Sequence, residues 1–215
     1  MAQQGKIFGI GYAKTATSSL GKALEILGYR CIHDPYELLP GIFPEELANF
    51  PKNPDILNDN DAFAGVVGLA FRELDHACPD SKFILTVRDE DKWLNSIRAH
   101  LHPKSKATRM DTEIPLQPFV RARMFSGHLW FEDDFADDYL QAFRDHNRDV
   151  MDYFKDRDNL LVMDVGKGDS WDTLCNFLGV DIPATPFPWK NKRAWRRTLR
   201  RKTKYWKRKL GLSGG

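Results

Sequence analysis

Apolar residues occur along this chain in two rhythms. Short runs of the strand type fall at Lys6 to Ile10, Tyr29 to Ile32, Ala62 to Val67, Lys82 to Val87 and Leu160 to Met163. Between them the apolar positions take helical spacing. Leu20, Ala23, Leu24 and Leu27 predict a helix over Ser18 to Leu27, ended by Gly28. Leu69 to Ala77 predicts the next helix, and Asp89 can cap another that runs to about His100. Helices are predicted near 117–130 and 134–155, and a last one over Trp171 to Leu178, closed by Gly179. Residues 36–60, rich in Pro, Asn and Asp, predict short helices in a surface excursion. Residues 102–118 carry three prolines and several basic residues, which predicts a mobile loop.

Strands alternating with helices imply right-handed crossovers. The fold class expected is α/β, three-layered, with a mainly parallel sheet flanked by helices. Ligands of such sheets bind beyond the carboxyl ends of the strands. Lys14 and Arg88 both lie just past a predicted strand end, so they should meet at one sheet edge.

Lys14 belongs to the most informative stretch, Lys6-Ile7-Phe8-Gly9-Ile10-Gly11-Tyr12-Ala13-Lys14-Thr15-Ala16-Thr17-Ser18-Ser19-Leu20. A strand, a loop of small and hydroxyl residues with one lysine, and a helix together form an anion cradle: helix-terminal N–H groups and the helix dipole favour negative charge. A nucleoside triphosphate loop needs Gly-x-x-x-x-Gly-Lys-Ser/Thr. Registered on Lys14-Thr15, those glycines fall on Phe8 and Ala13, which disfavours a P-loop nucleotide kinase or other phosphotransferase. Leu160 to Met163 followed by Asp164 could pass for a strand ending in a magnesium-linked acid, but any buried strand can look like this.

A second motif narrows the choice. Arg88 is followed eight residues later by Ser96, and an arginine at a strand end can converge on one phosphate with a serine two turns along the next helix. With both motifs in order, the sequence resembles the PAPS-dependent sulfotransferases, whose donor is 3′-phosphoadenosine 5′-phosphosulfate (PAPS). Lys14, Thr15, Ala16, Thr17 and Ser18 match their 5′-phosphosulfate loop, and Arg88 with Ser96 matches their 3′-phosphate motif. Ala77 through Trp93, and Leu174 to Gly179 followed by Phe187-Pro188, look very like one soluble subfamily. The resemblance spans about residues 6–190 and implies a P-loop NTPase-like sulfotransferase fold. It further implies that Lys14 meets the bridging oxygen as the 5′-phosphate departs, that 3′,5′-ADP is the product, and that no metal is obligatory.

The transfer needs a base for the acceptor's proton. The similar subfamily leads one to expect an acid at position 65, within an Asp-Ala-x-x-Asp-like segment, but Asp61-Ala62-Phe63-Ala64-Gly65 carries glycine there. His33, Asp59 and Asp61 stand as candidates, with His33 and Asp61 ranked together as catalytic. The departure leaves open an altered acceptor, or a non-catalytic, donor-binding, membrane-associated protein.

A chain of 215 residues with 42% hydrophobic content can bury a core, and one domain over 1–190 is expected. Cys31, Cys78 and Cys175 have no CxxC spacing and are expected to be reduced, without a metal. The polar start and the lack of a run near 20 apolar residues predict neither signal peptide nor membrane span, hence a cytoplasmic protein. The net charge of +2 hides a division: Lys190 to Lys209 holds twelve basic and no acidic residues, which leaves residues 1–189 at −10. Residues 191–215 therefore read as a basic C-terminal helix and tail, with Trp195, Leu199, Trp206 and Leu210 along one side. The tail can dock on the acidic body, lie on an anionic membrane or glycolipid acceptor, or simply form a solvated helix packed by its tryptophans. Lys192 or Arg193 could also reach the 3′-phosphate, and no specific nucleic acid partner is expected. The shape of the acceptor pocket is assigned to the 102–118 loop and the helix around Phe119–Trp130.

Overall fold

The computed structural model describes residues 5–38, 54–102, 127–128 and 130–189. Five strands, β1 (Ile7–Gly9), β2 (Cys31–His33), β3 (Ala62–Ala64), β4 (Lys82–Thr86) and β5 (Leu160–Met163), form one sheet in the order β2-β3-β1-β4-β5. Every pairing is parallel, with Phe8 of β1 facing Phe63 on one side and Phe83 on the other. The helices are α1 (Thr17–Ile26), α2 (Pro54–Asp59), α3 (Phe71–Ala77), α4 (Glu90–His100), α5 (Ala136–Phe154) and α6 (Trp171–Leu178).

Period-two alternation in the strands separates the two layers of core. Ile7, Ala62, Ile84 and Met163 pack on one face with Leu20, Ala23 and Leu24 of α1 and Leu174, Cys175 and Leu178 of α6. Phe8, Phe63, Phe83 and Leu85 point the other way, onto Leu74 of α3 and Val150 and Phe154 of α5. Phe8 stacks on Phe63 and on Phe83 at 5.4 Å between ring centroids, so one aromatic ladder crosses the three central strands. A third cluster, built on Tyr12, Trp93, Ile97, Tyr139 and Phe143, joins the loop after β1 to α4 and α5.

Two elements differ from the sequence pattern. The apolar run from Ala62 to Val67 is strand only to Ala64; Gly65 then turns at φ 92°, and Val66–Ala70 form a 3-10 helix. The Asp34 carboxylate accepts from the Val66 amide at 3.0 Å, and this bond ends the strand where hydrophobicity alone would continue it. The second strand sits at Cys31–His33 rather than Tyr29–Ile32, because the Tyr29 amide closes α1 by donating to Leu24 O at 3.1 Å. Asp89 caps α4 as expected, accepting from the Lys92 amide. Most of the predicted helix near 117–130, most of the 102–118 loop, much of the 36–60 excursion and the basic tail after 190 lie outside the described residues; Gly127, His128 and Trp130, which are described, are not helical. Among the described residues no helix is long and apolar enough to cross a membrane.

Candidate functional site

The loop from Ile10 to Ala16 leaves the carboxyl end of β1, the centre of the sheet, and enters α1. Lys14 and Ala16 both take left-handed backbone conformations, at φ 70° and 86°. Such conformations are uncommon for residues with a side chain and cost about 1–2 kcal/mol each. Alternation of left- and right-handed residues turns successive N–H groups towards one concavity.

What holds this shape is a set of bonds to the loop's carbonyls from behind. His146 Nε2 lies 2.8 Å from Ile10 O, the Thr15 hydroxyl donates to Tyr12 O at 2.6 Å, Trp93 Nε1 donates to Ala13 O at 2.8 Å, and Arg88 Nη1 donates to Lys14 O at 3.0 Å. With the carbonyls engaged, the amides of Lys14, Ala16, Thr17 and Ser18 have no acceptor among the described residues. The N-cap Ala16 supplies no side-chain cap, so the first turn of α1 is open to an anion. Gly11 is required by packing: a Cβ there would lie 2.7 Å from Thr86 O and 2.8 Å from the Thr15 hydroxyl oxygen. Thr15 and Thr86 share a buried 2.7 Å hydroxyl pair, so Thr15 serves the rear of the loop.

Two cations stand beside the loop. Burial lowers the Lys14 pKa, and neighbouring Arg88 lowers it further, against a smaller opposing effect of Asp34. Burial likewise lowers that of Arg88, partly offset by Asp164 and Asp89. A like-charged, partly desolvated pair beside unpaired amides is matched to a multiply charged anion. Ser96 stands half-buried on α4, one turn beyond Trp93 and so on the flank that faces the loop.

The structure thus brings Lys14, Thr15, Ala16, Thr17, Ser18 and Arg88 to one edge, and His33 joins them. His33 ends β2, and its Nε2 lies 3.2 Å from the Thr17 hydroxyl and 3.1 Å from that of Ser18. Asp61 does not join them. It precedes β3 at the amino end of the strand, about 10 Å of strand away from the site edge. There its carboxylate forms a two-pronged pair with Arg30, both bonds 3.1 Å, and accepts from the Arg30 amide. The Arg30 bonds hold the Asp61 carboxyl below the usual carboxylate range, a pinning role for the β2–β3 edge. Asp59 ends α2 and is exposed at that same end of β3. Asp164 follows β5, but its Oδ1 accepts from the Gly166 amide in a tight turn. Among the described residues no group of acids, histidines or cysteines could hold a metal.

Sequence reasoning passed over Trp93, His146 and Thr86 as parts of the site, because they act from distant segments, the first two on loop carbonyls and Thr86 on the Thr15 hydroxyl. It also passed over Asp34, whose signal was local: an acid next to His33, just beyond a strand end.

Residues 6–195 match the family model described as sulfotransferase domain. Among solved structures, the crystal structure of a sulfotransferase from Alicyclobacillus acidocaldarius aligns with a TM-score of 0.53 at 18% identity, covering 86% of this chain and 84% of that one. At that identity the likeness is one of fold. Comparison with curated proteins gives no match.

Proposed function

This chain belongs to the sulfotransferase family, and from that premise we propose that it moves a sulfuryl group from PAPS to the hydroxyl (or amine) of an acceptor. One observation carries the choice of donor: the Arg88 guanidinium is seated on the Lys14 carbonyl, so a second cation, absent from the triphosphate pattern, flanks the phosphate loop. PAPS carries phosphate at both the 3′ and 5′ positions and fits such a divided cationic site.

In this reading the open amides of Lys14, Ala16, Thr17 and Ser18 hold the 5′-phosphate, and Arg88 with Ser96 holds the 3′-phosphate. The acceptor oxygen bonds to sulfur while the bond from sulfur to the bridging oxygen breaks, and the electron pair leaves on the 5′-phosphate. Lys14 neutralises that developing charge, in the way electrostatic preorganisation serves phosphoryl transfer. His33 Nε2 takes the acceptor's proton; its contact with Thr17 and Ser18 supports this choice over Asp61. The acceptor class assigned is a small molecule, glycan or glycolipid. The basic tail, residues 191–215, is assigned to an anionic membrane surface, which makes the protein cytoplasmic and peripheral.

Thermal-shift titration tests the donor. At a concentration of 100 times Kd, 3′,5′-ADP should stabilise the fold by about 2.7 kcal/mol, several degrees in Tm, while ATP with magnesium does much less. Equal stabilisation, or none from 3′,5′-ADP, overturns the reading. Transfer from labelled PAPS to an acceptor panel then tests turnover; binding with silence across the panel favours a non-catalytic donor-binding protein.

A further inference from the structure

A proton acceptor at His33 requires a lone pair on Nε2, and hence the ring hydrogen on Nδ1. Asp34 is placed to decide this. Its Oδ2 lies 3.0 Å from His33 Nδ1, while its Oδ1 accepts from the Val66 amide at 3.0 Å. The backbone of Asp34 is held as well: its amide donates to Ala64 O, and its carbonyl accepts from the Tyr36 amide, both at 2.9 Å. Asp34 sits at φ 58°, a left-handed conformation that Asp tolerates better than most residues.

Position 65 makes room for this carboxylate. β2 and β3 run in register, with His33 opposite Ala64, so residues 34 and 65 emerge side by side from the sheet edge. A Cβ on Gly65 would overlap Asp34 Oδ1 and lie 2.9 Å from its Cγ, and the φ of 92° at Gly65 disfavours any side chain. The carboxylate expected from residue 65 is therefore supplied, in nearly the same space, by residue 34 of the neighbouring strand.

We propose that Asp34 is a positioning residue that fixes the His33 imidazole with hydrogen on Nδ1, so that the Nε2 lone pair points at Thr17 and Ser18 of the phosphate loop. The geometry stands by itself, whereas the catalytic consequence rests on the sulfuryl transfer proposed above. When the acceptor's proton passes to Nε2, the imidazolium is neutralised by Asp34, which stays ionised. The other charges that bear on the pair are cations: Lys14, which feels the Asp34 charge, and Arg88 beside it.

Asp34→Asn separates this from a structural role. The asparagine oxygen stays on the Val66 N–H, which leaves its NH2 facing Nδ1 as a donor. That arrangement drives the ring hydrogen to Nε2 and removes the lone pair. The expected result is a fall in kcat of roughly 10²–10⁴-fold, the scale seen when a triad histidine is held in the wrong tautomer, with the Kd for 3′,5′-ADP changed less than about threefold. Nitrogen-15 NMR of histidine-labelled protein, with His33 assigned by comparison with His33→Gln, should show hydrogen on Nδ1 in the parent and on Nε2 in the variant. A kcat within about threefold of the parent, or the same tautomer in both proteins, overturns the proposal. If neither protein binds 3′,5′-ADP, the donor reading fails while the NMR result still decides the role of Asp34.

Discussion

Lys14 is costly to the ligand-free fold. Its ammonium is partly desolvated beside Arg88, and its backbone is left-handed. Residues held in this way give up stability for function. Lys14→Met keeps the stem and removes the charge, so it is expected to lower the transfer rate by about 10²–10³-fold, the scale for losing one charge-stabilising donor. The same change should leave Tm unaltered or raise it by up to about 2 °C. A drop in Tm of several degrees would show instead that the ammonium supports the fold. The contrast with Asp61 lies at this scale too: both are charged residues next to strands, but Asp61 is bonded to Arg30, of opposite charge, whereas Lys14 stands beside the like-charged Arg88.

Elements are joined through the loop's carbonyls, and α5 is the clearest case. His146 places Nε2 on Ile10 O and packs its ring, tilted by 42°, against Tyr12 at 4.9 Å between centroids. Burial lowers the His146 pKa, only partly offset by the bond to Ile10 and by Asp149. Protonating this histidine is therefore harder in the folded protein than in the unfolded chain, which takes up a proton below about pH 6.5. Stability from His146 is complete above that pH and is lost as pH falls through it, since the unfolded state then binds more protons. His146→Gln keeps an amide donor without a titration. Its Tm should fall less between pH 7 and about pH 5.5 than that of the parent; equal slopes would remove His146 from the acid response. Carboxylates held low by arginine partners, such as Asp75 with Arg157 and Glu90 with Arg144, act at lower pH and leave that window clear.

Over the whole molecule, charge is divided between an acidic body and a basic tail, −10 over residues 1–189 against twelve basic residues from Lys190 to Lys209. Part of the acidity has a local reason. Asp133 and Asp134, then Asp137 and Asp138, stand in the first turns leading into α5, where the helix dipole favours negative charge. Asp133 is paired with Arg98 of α4 at 2.9 Å. If the tail serves an anionic surface, the full chain should sediment with phosphatidylserine vesicles at low salt and be released at roughly 0.5 M salt, where screening shortens electrostatic reach. Absence of binding at low salt would favour docking of the tail on the body.

The sequence by itself determined the layered α/β order, because strand and helix periodicities are local and each β-α step leaves only one favoured handedness. It also singled out the loop after β1 and the Arg88–Ser96 spacing as candidates, since both are short motifs next to strand ends. Tertiary structure decided which acids and imidazoles face that loop. His33 and Asp61 looked equivalent along the chain, each beside a short strand, yet parallel register sends one to the carboxyl edge and the other to the amino edge. The missing acid at Gly65 looked like a loss until the neighbouring strand brought Asp34 into its space. Such exchanges follow from contacts between adjacent strands distant in sequence, and no spacing along one strand can express them.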